Sequence, residues 1–482
     1  MTPATRELYE RPLIMRRELG SLTKQWGGGG PGAPPIAVGE AVDGVSAQSL
    51  KSKYGSPLYV VSEATLRKNL RGFLSAFRSR YPETVVAYSY KTNYVSGICA
   101  TLHQEGAWAE VVSGFELERA RALGMPGSQI VYNGPYKPFD HLLEATRLGV
   151  RVNVDNLEEL ADLEEVSRQL RRPVKIGIRV NMRLNDPPWD KFGFNMESGQ
   201  ALEVCRRIHG SKLLRLAGFH LHAGTYLANV EIYKRAITGL LDLAMTVEAQ
   251  RLGDIEYLDL GGGYASRNTI LSQLLPGEMT TPSYAEYAEA IAGPLKAGVK
   301  RLPRRPLLIL EPGRSIVDDA VSLLVSVVAV KKTPDGRTLV VVDGGVNLLP
   351  TAYYFRHDVV TGREAEGDSA RVDIVGPLCM QIDVLRRDVS LPPVSRGSML
   401  LFRNAGAYTV SNSMQFIYPR PPVVVVSGRE THVLRRGERT EDLVRLDEMP
   451  VHLAPRRAAA SRNGNGNGNG AAHANGHARG RR

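Results

Sequence analysis

Cysteine is scarce in this chain of 482 residues, and no hydrophobic run is long enough to cross a membrane. The three cysteines, Cys99, Cys205 and Cys379, are odd in number and widely spaced. This pattern favours a reducing compartment and predicts neither a disulfide framework nor a metal site. Residues 1–19 mix Arg and Glu and lack the apolar core of a signal peptide. We therefore expect a cytoplasmic protein without a membrane partner.

Acidic residues are absent from residues 455–482, although this segment is rich in arginine and holds an Asn-Gly repeat. Much of the net charge of +11 comes from this tail, so the charge does not predict a nucleic-acid partner. A segment with so little to bury is expected to be disordered. At the other end, consecutive glycines and prolines within residues 26–35 predict a flexible arm over residues 1–45.

Short apolar runs alternate with amphipathic helical stretches between residues 46 and 314. This alternation is typical of βα units with parallel strands, and about eight units favour a closed (β/α)8 barrel. The predicted strands are 58–61, the run that ends at Lys91, 109–112, 130–132, 150–154, 174–180, 216–222, 257–260 and 307–310.

Helical patterns disappear after Arg314, and Val-rich runs separated by Gly, Pro and Asp turns replace them. The pattern predicts a second, all-β domain, a barrel or sandwich, over residues 315–454. Residues 46–59 could supply one of its strands, which would make the domains discontinuous in sequence.

Lys91 follows a short, nearly unbroken apolar strand and precedes turn-forming residues. Such a strand should be buried on both faces. Partial desolvation would lower the pKa of a lysine at its end and leave the amine able to attack a carbonyl. The alternative is a lysine whose amine reaches solvent from the strand end.

Three further strand ends carry chemically useful groups. His222 and Thr225 follow one strand, and the three glycines 261–263 follow a later one, where backbone N–H groups can surround an anion. Glu311 and Arg314 follow the last apolar run of the barrel pattern. A lysine, an imidazole, an anion cradle, a carboxylate and an arginine together match the needs of pyridoxal phosphate.

Six motifs occur in the order found in the fold-type III decarboxylases, the diaminopimelate and ornithine decarboxylase family, which this chain resembles over about residues 54–419. They are Tyr88-Ser89-Tyr90-Lys91-Thr92-Asn93, His222-Ala223-Gly224-Thr225, Gly261-Gly262-Gly263, Glu311-Pro312-Gly313-Arg314, Gly376-Pro377-Leu378-Cys379 and Gly406-Ala407-Tyr408. The resemblance implies an alanine-racemase-like (β/α)8 barrel, a C-terminal β domain and a pyridoxal-phosphate-dependent α-decarboxylase.

The resemblance also implies residue roles. Lys91 would form the Schiff base, His222 would stack on the cofactor ring, Glu311 would pair with the pyridine nitrogen, and Cys379 would act as general acid. The expected cofactor contacts are Lys91, Arg179, His222, Thr225, Gly261, Gly262, Gly263, Glu311, Gly313, Arg314 and Tyr408. The expected substrate contacts are Arg314, Tyr353, Met380 and Tyr408. Family members share sites across a homodimer, so Cys379 and Tyr408 are expected to complete the neighbouring subunit's site.

Two positions depart from the family pattern. Leu349 stands where diaminopimelate decarboxylases have an arginine four residues before the substrate-contacting tyrosine, and Met380 replaces the acidic residue after the cysteine. Loss of such charges would cost on the order of 2 to 5 kcal/mol in binding a distal charge. The favoured hypothesis is therefore an amino acid with a derivatised distal end, such as an amide, a citryl group or a carrier-bound thioester.

Several alternatives remain. Recognition could pass to Gln381, Asp383 or Arg356, which would leave a genuine diaminopimelate or basic amino-acid decarboxylase. Glu110 replaces an aspartate of many family members, a tolerable change in reach. A racemase would pair the ring nitrogen with arginine, against which Glu311 argues. A non-catalytic regulatory homologue should have lost Lys91, the glycines or Cys379, and all are present.

Overall fold

The computed structural model describes residues 41–185, 188–361 and 367–453. Eight parallel strands form a closed barrel, because the last strand pairs with the first through Leu308 and Thr84. We number these barrel strands 1 to 8 in chain order: Thr84–Ser89, Trp108–Val111, Ile130–Tyr132, Arg151–Val154, Val174–Asn181, Leu214–His220, Tyr257–Asp259 and Leu307–Leu310. The predicted barrel is confirmed.

Helices alternate with the barrel strands, and several begin where the sequence places a small polar residue. The side chains of Ser113, Asn156 and Ser283 each accept a hydrogen bond from the backbone N–H three residues ahead. These caps satisfy N–H groups that a helix start leaves unpaired. The barrel helices are Glu63–Arg78, Ser96–Gln104, Gly114–Ala122, Phe139–Leu148, Leu157–Leu170, Gln200–Ser211, Val230–Ala249, Gly277–Thr280, Tyr284–Gly298 and Arg314–Val317.

A separate β-sheet domain follows the barrel, as the Val-rich pattern predicts. Its long central strand, Val321–Lys332, pairs with both Leu58–Ser62 and Met399–Phe402. The strands of this domain are Leu58–Ser62, Val321–Lys332, Thr338–Val342, Phe355–Arg356, Val359–Thr361, Ala370–Val375, Val384–Leu391, Met399–Phe402, Val423–Ser427 and Glu430–Arg435. Short 3-10 turns lie at Tyr90–Thr92, Gly127–Gln129, Val299–Arg301 and Pro350–Tyr353.

The strand Leu58–Ser62 lies ahead of the barrel in sequence but belongs to the second domain's sheet, where it also pairs in parallel with Val423–Ser427. Residues Ala47–Tyr54, in contrast, form a helix capped by Ser46. Part of the predicted flexible arm is also ordered, since Ala41–Val42 pairs with Val45–Ser46. Residues 1–40 and the predicted tail from residue 455 lie outside the described residues.

Residues 439–453 belong to a second unit of the chain. Its described part holds the helix Thr440–Val444 and the 3-10 turn Val451–Leu453. Small strand pairs also occur at Phe194–Asn195, beside barrel strand 5, and at Thr269–Ile270, beside Phe355–Arg356. Across the residues that the structure describes, no helix combines the length and apolar character that a membrane crossing requires.

Candidate active site

A cavity of about 400 Å³ opens at the carboxyl ends of the barrel strands. In a parallel barrel, all strand ends of one polarity meet at the same face, so residues far apart in sequence converge there. Lys91, Arg179, His222 and Glu311 all line this cavity, together with Tyr408 of the second domain. The structure thus brings together most of the residues that the sequence singles out.

Lys91 lies in the 3-10 turn after barrel strand 1, and its Nζ donates a hydrogen bond to Oε2 of Glu110 at 2.5 Å. The same carboxylate oxygen accepts a hydrogen bond from the Ser89 hydroxyl at 2.6 Å. Burial lowers the pKa of Lys91, but the charges of Glu110, Tyr408 and Glu311 raise it above its usual range. The expected lowered pKa is therefore wrong, because the nearby acidic groups outweigh desolvation.

Glu311 ends barrel strand 8 and is buried. Its Oε1 accepts a hydrogen bond from Asn133 Nδ2 at 2.5 Å. Burial raises the pKa of Glu311, whereas its interactions with His220 and with the ammonium of Lys91 lower it, and the net pKa lies below its usual range. Glu311 is accordingly an anion, which is the form needed to hold a pyridinium nitrogen in its protonated state.

His220 and Asp259 complete a buried cluster with Glu311, in which one polar atom of each side chain lies within 4.8 Å of the others. Burial and the Glu311 charge raise the pKa of Asp259 far above its usual range, so Asp259 carries a proton. The Oδ1 atom of Asp259 accepts a hydrogen bond from the backbone N–H of Gly261 at 3.0 Å. The absence of a metal stays a prediction.

His222 lies at the cavity edge with Nδ1 3.1 Å from the backbone N–H of Gly262, which donates to it. Burial, followed by the charges of Arg179 and Lys91, lowers the pKa of His222 to about 3. The ring is therefore neutral, with its remaining proton on Nε2. The ring of Trp189 lies against it, with a centroid distance of 5.3 Å.

Arg179 lies in barrel strand 5 and is buried. Its guanidinium lies 4.3 Å from the centre of the Phe192 ring and 3.7 Å from Oδ1 of Asp155. Burial lowers the pKa of Arg179, although Asp155 and Glu311 act in the opposite direction. These contacts hold the guanidinium of Arg179 on barrel strand 5, across the barrel from strand 1, which carries Lys91.

The glycines that follow barrel strands 7 and 8 are required by close approaches. A Cβ on Gly262 would lie 2.5 Å from the Glu311 carbonyl oxygen, and one on Gly313 would lie 2.0 Å from Oγ1 of Thr92. Gly261 and Gly263 have φ angles of +62° and +95°, which L side chains rarely adopt. The backbone can therefore close around a ligand at this edge of the cavity.

Arg314 begins the short helix after barrel strand 8, and aromatic rings surround its guanidinium. The ring centres of Phe355, Tyr408 and Tyr226 lie 4.7, 5.1 and 5.8 Å from Cζ. Among the described residues its Nη1 is buried without a hydrogen-bond partner, and the Asp318 carboxylate lies 3.7 Å from it. This nitrogen keeps donor capacity that an anion can use.

Tyr408 of the second domain lines the cavity of its own chain, and its backbone N–H donates to the Thr92 carbonyl at 2.9 Å. Tyr408 thus lies in the cavity of its own chain, whereas the family resemblance implies a place in the neighbouring subunit's site. Its φ angle is +59°, an uncommon value for a residue other than glycine. The loop that carries Tyr408 packs directly against the turn that carries Lys91.

Other predicted residues lie elsewhere. Cys379 and Tyr353 are exposed, and neither they nor Met380 line the cavity around Lys91 in the described part of the chain. Leu349 is fully buried in the hydrophobic core. Asp383, an alternative recognition group, binds the backbone N–H groups of Val346 and Leu378, each at 2.8 Å.

Sequence reasoning missed several residues of the site, among them Asn133, His220, Asp259 and Trp189. Asn133 directly follows barrel strand 3, and His220 and Asp259 end strands 6 and 7. Applying the strand-end criterion to every asparagine, histidine and acidic residue would have found these three. Trp189 lies in an irregular loop, and no local sequence signal marks it.

A parallel barrel with a strand-end lysine, a buried carboxylate and an open anion cradle defines a pyridoxal phosphate enzyme. The chain belongs to the pyridoxal-dependent decarboxylases, because the model of their pyridoxal-binding domain matches residues 67–318. It is a carboxy-lyase that uses pyridoxal phosphate to decarboxylate an amino acid, rather than a racemase or a non-catalytic homologue.

Known proteins resemble this chain along most of its length. The diaminopimelate decarboxylase of Methanocaldococcus jannaschii is 30% identical over 86% of this chain and 95% of its own length. The Bacillus subtilis enzyme of the same name is 32% identical over 84% of this chain and 94% of its own. The crystal structure of the M. jannaschii enzyme with L-lysine superposes with a TM-score of 0.80, at 29% identity over 87% of this chain and 99% of that one.

Proposed function

We propose that this enzyme decarboxylates diaminopimelate, a reaction that yields lysine and carbon dioxide. The observation that carries this proposal is the relatives' shared name: the curated proteins at 30 to 33% identity, matched over 83 to 86% of this chain, are diaminopimelate decarboxylases. They favour this alternative over the hypothesis of a derivatised substrate.

The position of Leu349 also weakens the hypothesis of an altered distal pocket. That hypothesis requires Leu349 to face the far end of the substrate, yet its side chain is 0% exposed and packs in the core. A residue without accessible surface cannot discriminate between distal groups. Met380 is only partly buried and remains the position where the distal pocket could differ.

The residues of the cavity fit pyridoxal phosphate. The unpartnered Nη1 of Arg314 and the backbone around the glycines 261–263 and Gly313 suit a phosphate, with Thr225 and Tyr408 beside them. Lys91 offers the amine that binds the cofactor aldehyde, and Glu311 offers an anion for the ring nitrogen. When bound, the cofactor supplies an acceptor for the electron pair that departing carbon dioxide leaves behind.

The remaining residues of the site control protons and orientation. Glu110 holds a proton on the nitrogen of Lys91 through their 2.5 Å hydrogen bond. His222 stays neutral and is fixed by the Gly262 N–H, so its flat face can pack on an aromatic ring. Arg179 lies close enough to Glu311 to help keep that carboxylate ionised.

Cys379 requires a second copy of the chain to act as the general acid. It is exposed and lies outside the cavity of its own chain. Exposed apolar residues occur elsewhere in the second domain, at Met414, Phe416, Ile417 and Tyr418. Dimer interfaces commonly cover exposed apolar residues of this kind, and a shared site is the arrangement in which Cys379 reaches a cavity around Lys91.

A comparison of substrates tests the proposal. Carbon dioxide release should be fastest with diaminopimelate among diaminopimelate, ornithine, lysine, arginine and amide- or citryl-conjugated amino acids. Turnover of a conjugate at a higher kcat/KM would overturn the proposed substrate and restore the altered-pocket hypothesis.

A second measurement tests the role of Lys91 independently of the substrate. Lys91→Ala should remove the visible absorbance of the bound cofactor. Lys175→Ala is the matched control, because Lys175 belongs to a barrel strand but is exposed at its opposite end. An unchanged spectrum in Lys91→Ala would refute the assignment.

A further inference from the structure

A column of three buried polar side chains crosses the interior of the barrel and ends at the two carboxylates of the site. The Tyr257 hydroxyl lies 2.6 Å from Oδ1 of Asn153, and Asn153 Nδ2 lies 2.8 Å from Oδ1 of Asn133. Asn133 Nδ2 then lies 2.5 Å from Glu311 Oε1 and 3.3 Å from Glu110 Oε1. Tyr257, Asn153 and Asn133 are 3%, 0% and 2% exposed, so water does not replace these contacts.

The hydrogen bonds of this column all run in one direction. An amide carbonyl can only accept, so the Tyr257 hydroxyl donates to Asn153. The Asn153 amide nitrogen then donates to the carbonyl of Asn133, which leaves only N–H donors of Asn133 facing the carboxylates. A flipped Asn133 would instead direct its carbonyl at two anions, so the column fixes the orientation of its last member.

The barrel is shaped to hold the column. A Cβ on Gly177 would lie 2.1 Å from both Asn153 Oδ1 and the Tyr257 hydroxyl, and a Cβ on Gly218 would lie 2.6 Å from the Tyr257 ring. Both glycines occupy strand interiors, where glycine costs about 0.5–1 kcal/mol relative to alanine. Tyr257 also lies in the wall of a second cavity, at the opposite end of the barrel.

We propose that Asn133 is a positioning residue that joins the Glu110 and Glu311 carboxylates through its amide N–H groups and stabilises the charge on Glu311, and that Tyr257 and Asn153 orient it. The inference rests on the proposed roles of Lys91 and Glu311. One carboxylate faces the lysine nitrogen and the other is assigned to the cofactor ring nitrogen, so their joint charge state controls protonation at both ends of the cofactor.

Two buried carboxylates lie close together at Asn133. Like charges repel strongly at low dielectric, and this repulsion favours proton uptake by one carboxylate of such a pair. Asn133 donates to both carboxylates without adding a charge of its own. The other ionisable groups that act on the pair or on the Lys91 nitrogen beside it include Lys91, Arg179, His220, His222, Asp259, Glu116 and Tyr408. Of these groups, only Lys91 donates to Glu110 within hydrogen-bond distance, so Asn133 is the one side chain that joins the two carboxylates among the described residues.

The test is a pH titration of the visible absorbance of the cofactor-loaded enzyme. In Asn133→Ala, Glu311 should lose a hydrogen-bond donor and take up a proton, which removes a negative charge that acts on the Lys91 nitrogen. The midpoint should therefore move to lower pH by about one unit. We expect kcat to fall roughly tenfold with a smaller change in KM, because the proposed role of Asn133 is to position two carboxylates rather than to bind substrate. Tyr257→Phe should shift the midpoint in the same direction by a smaller amount.

Tyr81→Phe is the matched control. Tyr81 is fully buried, and its hydroxyl donates to the Pro306 carbonyl at 2.7 Å outside the column. It should leave the midpoint unchanged. An equal shift in Tyr81→Phe, or an unshifted or raised midpoint in Asn133→Ala, would overturn the inference. If Asn133→Ala fails to fold, the titration midpoint of Tyr257→Phe tests the inference instead, because the phenylalanine ring still fills the space beside Gly218.

Lys91→Ala separates this inference from the function on which it depends. A titration that is lost in Lys91→Ala but unchanged in Asn133→Ala overturns only the role of Asn133. A titration that survives in Lys91→Ala overturns the role of Lys91 and the inference with it.

Discussion

The guanidinium of Arg314 lies 5.1 Å from the centre of the Tyr408 ring, so the second domain completes the cavity of its own chain. The contact joins a barrel residue to a loop that also hydrogen-bonds to the Lys91 turn through Thr92. The anion cradle and the lysine are therefore held by one shared loop, and cofactor binding should stiffen the interface between barrel and β domain.

Removing the guanidinium tests the anion cradle. Arg314→Ala should raise the dissociation constant for pyridoxal phosphate about 10- to 100-fold, the equivalent of losing a charge-assisted hydrogen bond. Equilibrium dialysis or fluorescence would measure it. Arg206→Ala, on an exposed helical position, should leave the constant unchanged. If the wild type and Arg314→Ala bind pyridoxal phosphate with equal affinity, Arg314 does not hold the phosphate.

A methyl group at Gly313 should collide with Thr92. Because the added Cβ would lie 2.0 Å from Thr92 Oγ1, Gly313→Ala should lower the free energy of unfolding by about 1–3 kcal/mol and weaken cofactor binding. Gly210→Ala is the control, since a Cβ there has no neighbour within 4 Å. That helical substitution should be neutral or stabilising by up to about 1 kcal/mol. Similar unfolding curves for both variants would contradict the close approach.

His357 should make the protein sensitive to acid. Burial is the largest influence on this residue, and it lowers the pKa of His357 to about 4, while the Thr351 hydroxyl and the Arg403 carbonyl hold the neutral ring. The unfolded chain binds a proton at about pH 6.5, so stability is lost as pH falls from 6.5 to 4.

His357→Gln removes this contribution. Between pH 6.5 and pH 4, the free energy of unfolding should fall by about 3 kcal/mol more in the wild type than in the variant. Urea unfolding at a series of pH values measures this difference. His222 and the buried carboxyls titrate in both proteins, so their contribution cancels in the comparison. Parallel stability curves would show that His357 does not titrate in this range.

A shared active site predicts complementation between inactive variants. Lys91→Ala and Cys379→Ala should each be inactive alone, but subunit exchange in an equal mixture should restore about a quarter of wild-type activity. The recovered activity would come from mixed dimers that contain one intact site. No recovery after verified exchange would place Cys379 outside the partner's site or show that the enzyme is not a shared-site dimer.

Local sequence patterns were sufficient for the barrel and for much of the site. Apolar runs that end in Lys91, His222 and Glu311 mark strand ends, and the closed parallel barrel carries all strand ends of one polarity to one face. The Gly-rich turn was predictable for the same reason. Strand limits differ from the predicted ones by at most about two residues, because backbone pairing rather than composition sets the last residue.

The sequence by itself determined which residue types stand at the ends of the barrel strands, since alternation and turn chemistry are local properties. Only the tertiary structure decided what those residues experience. The pKa of Lys91 rises because Glu110 and Glu311 approach it from other strands. Leu349 lies in the core, and Asn133 joins two carboxylates. Electrostatic energy and burial depend on distances between residues remote in sequence, and the fold alone sets those distances.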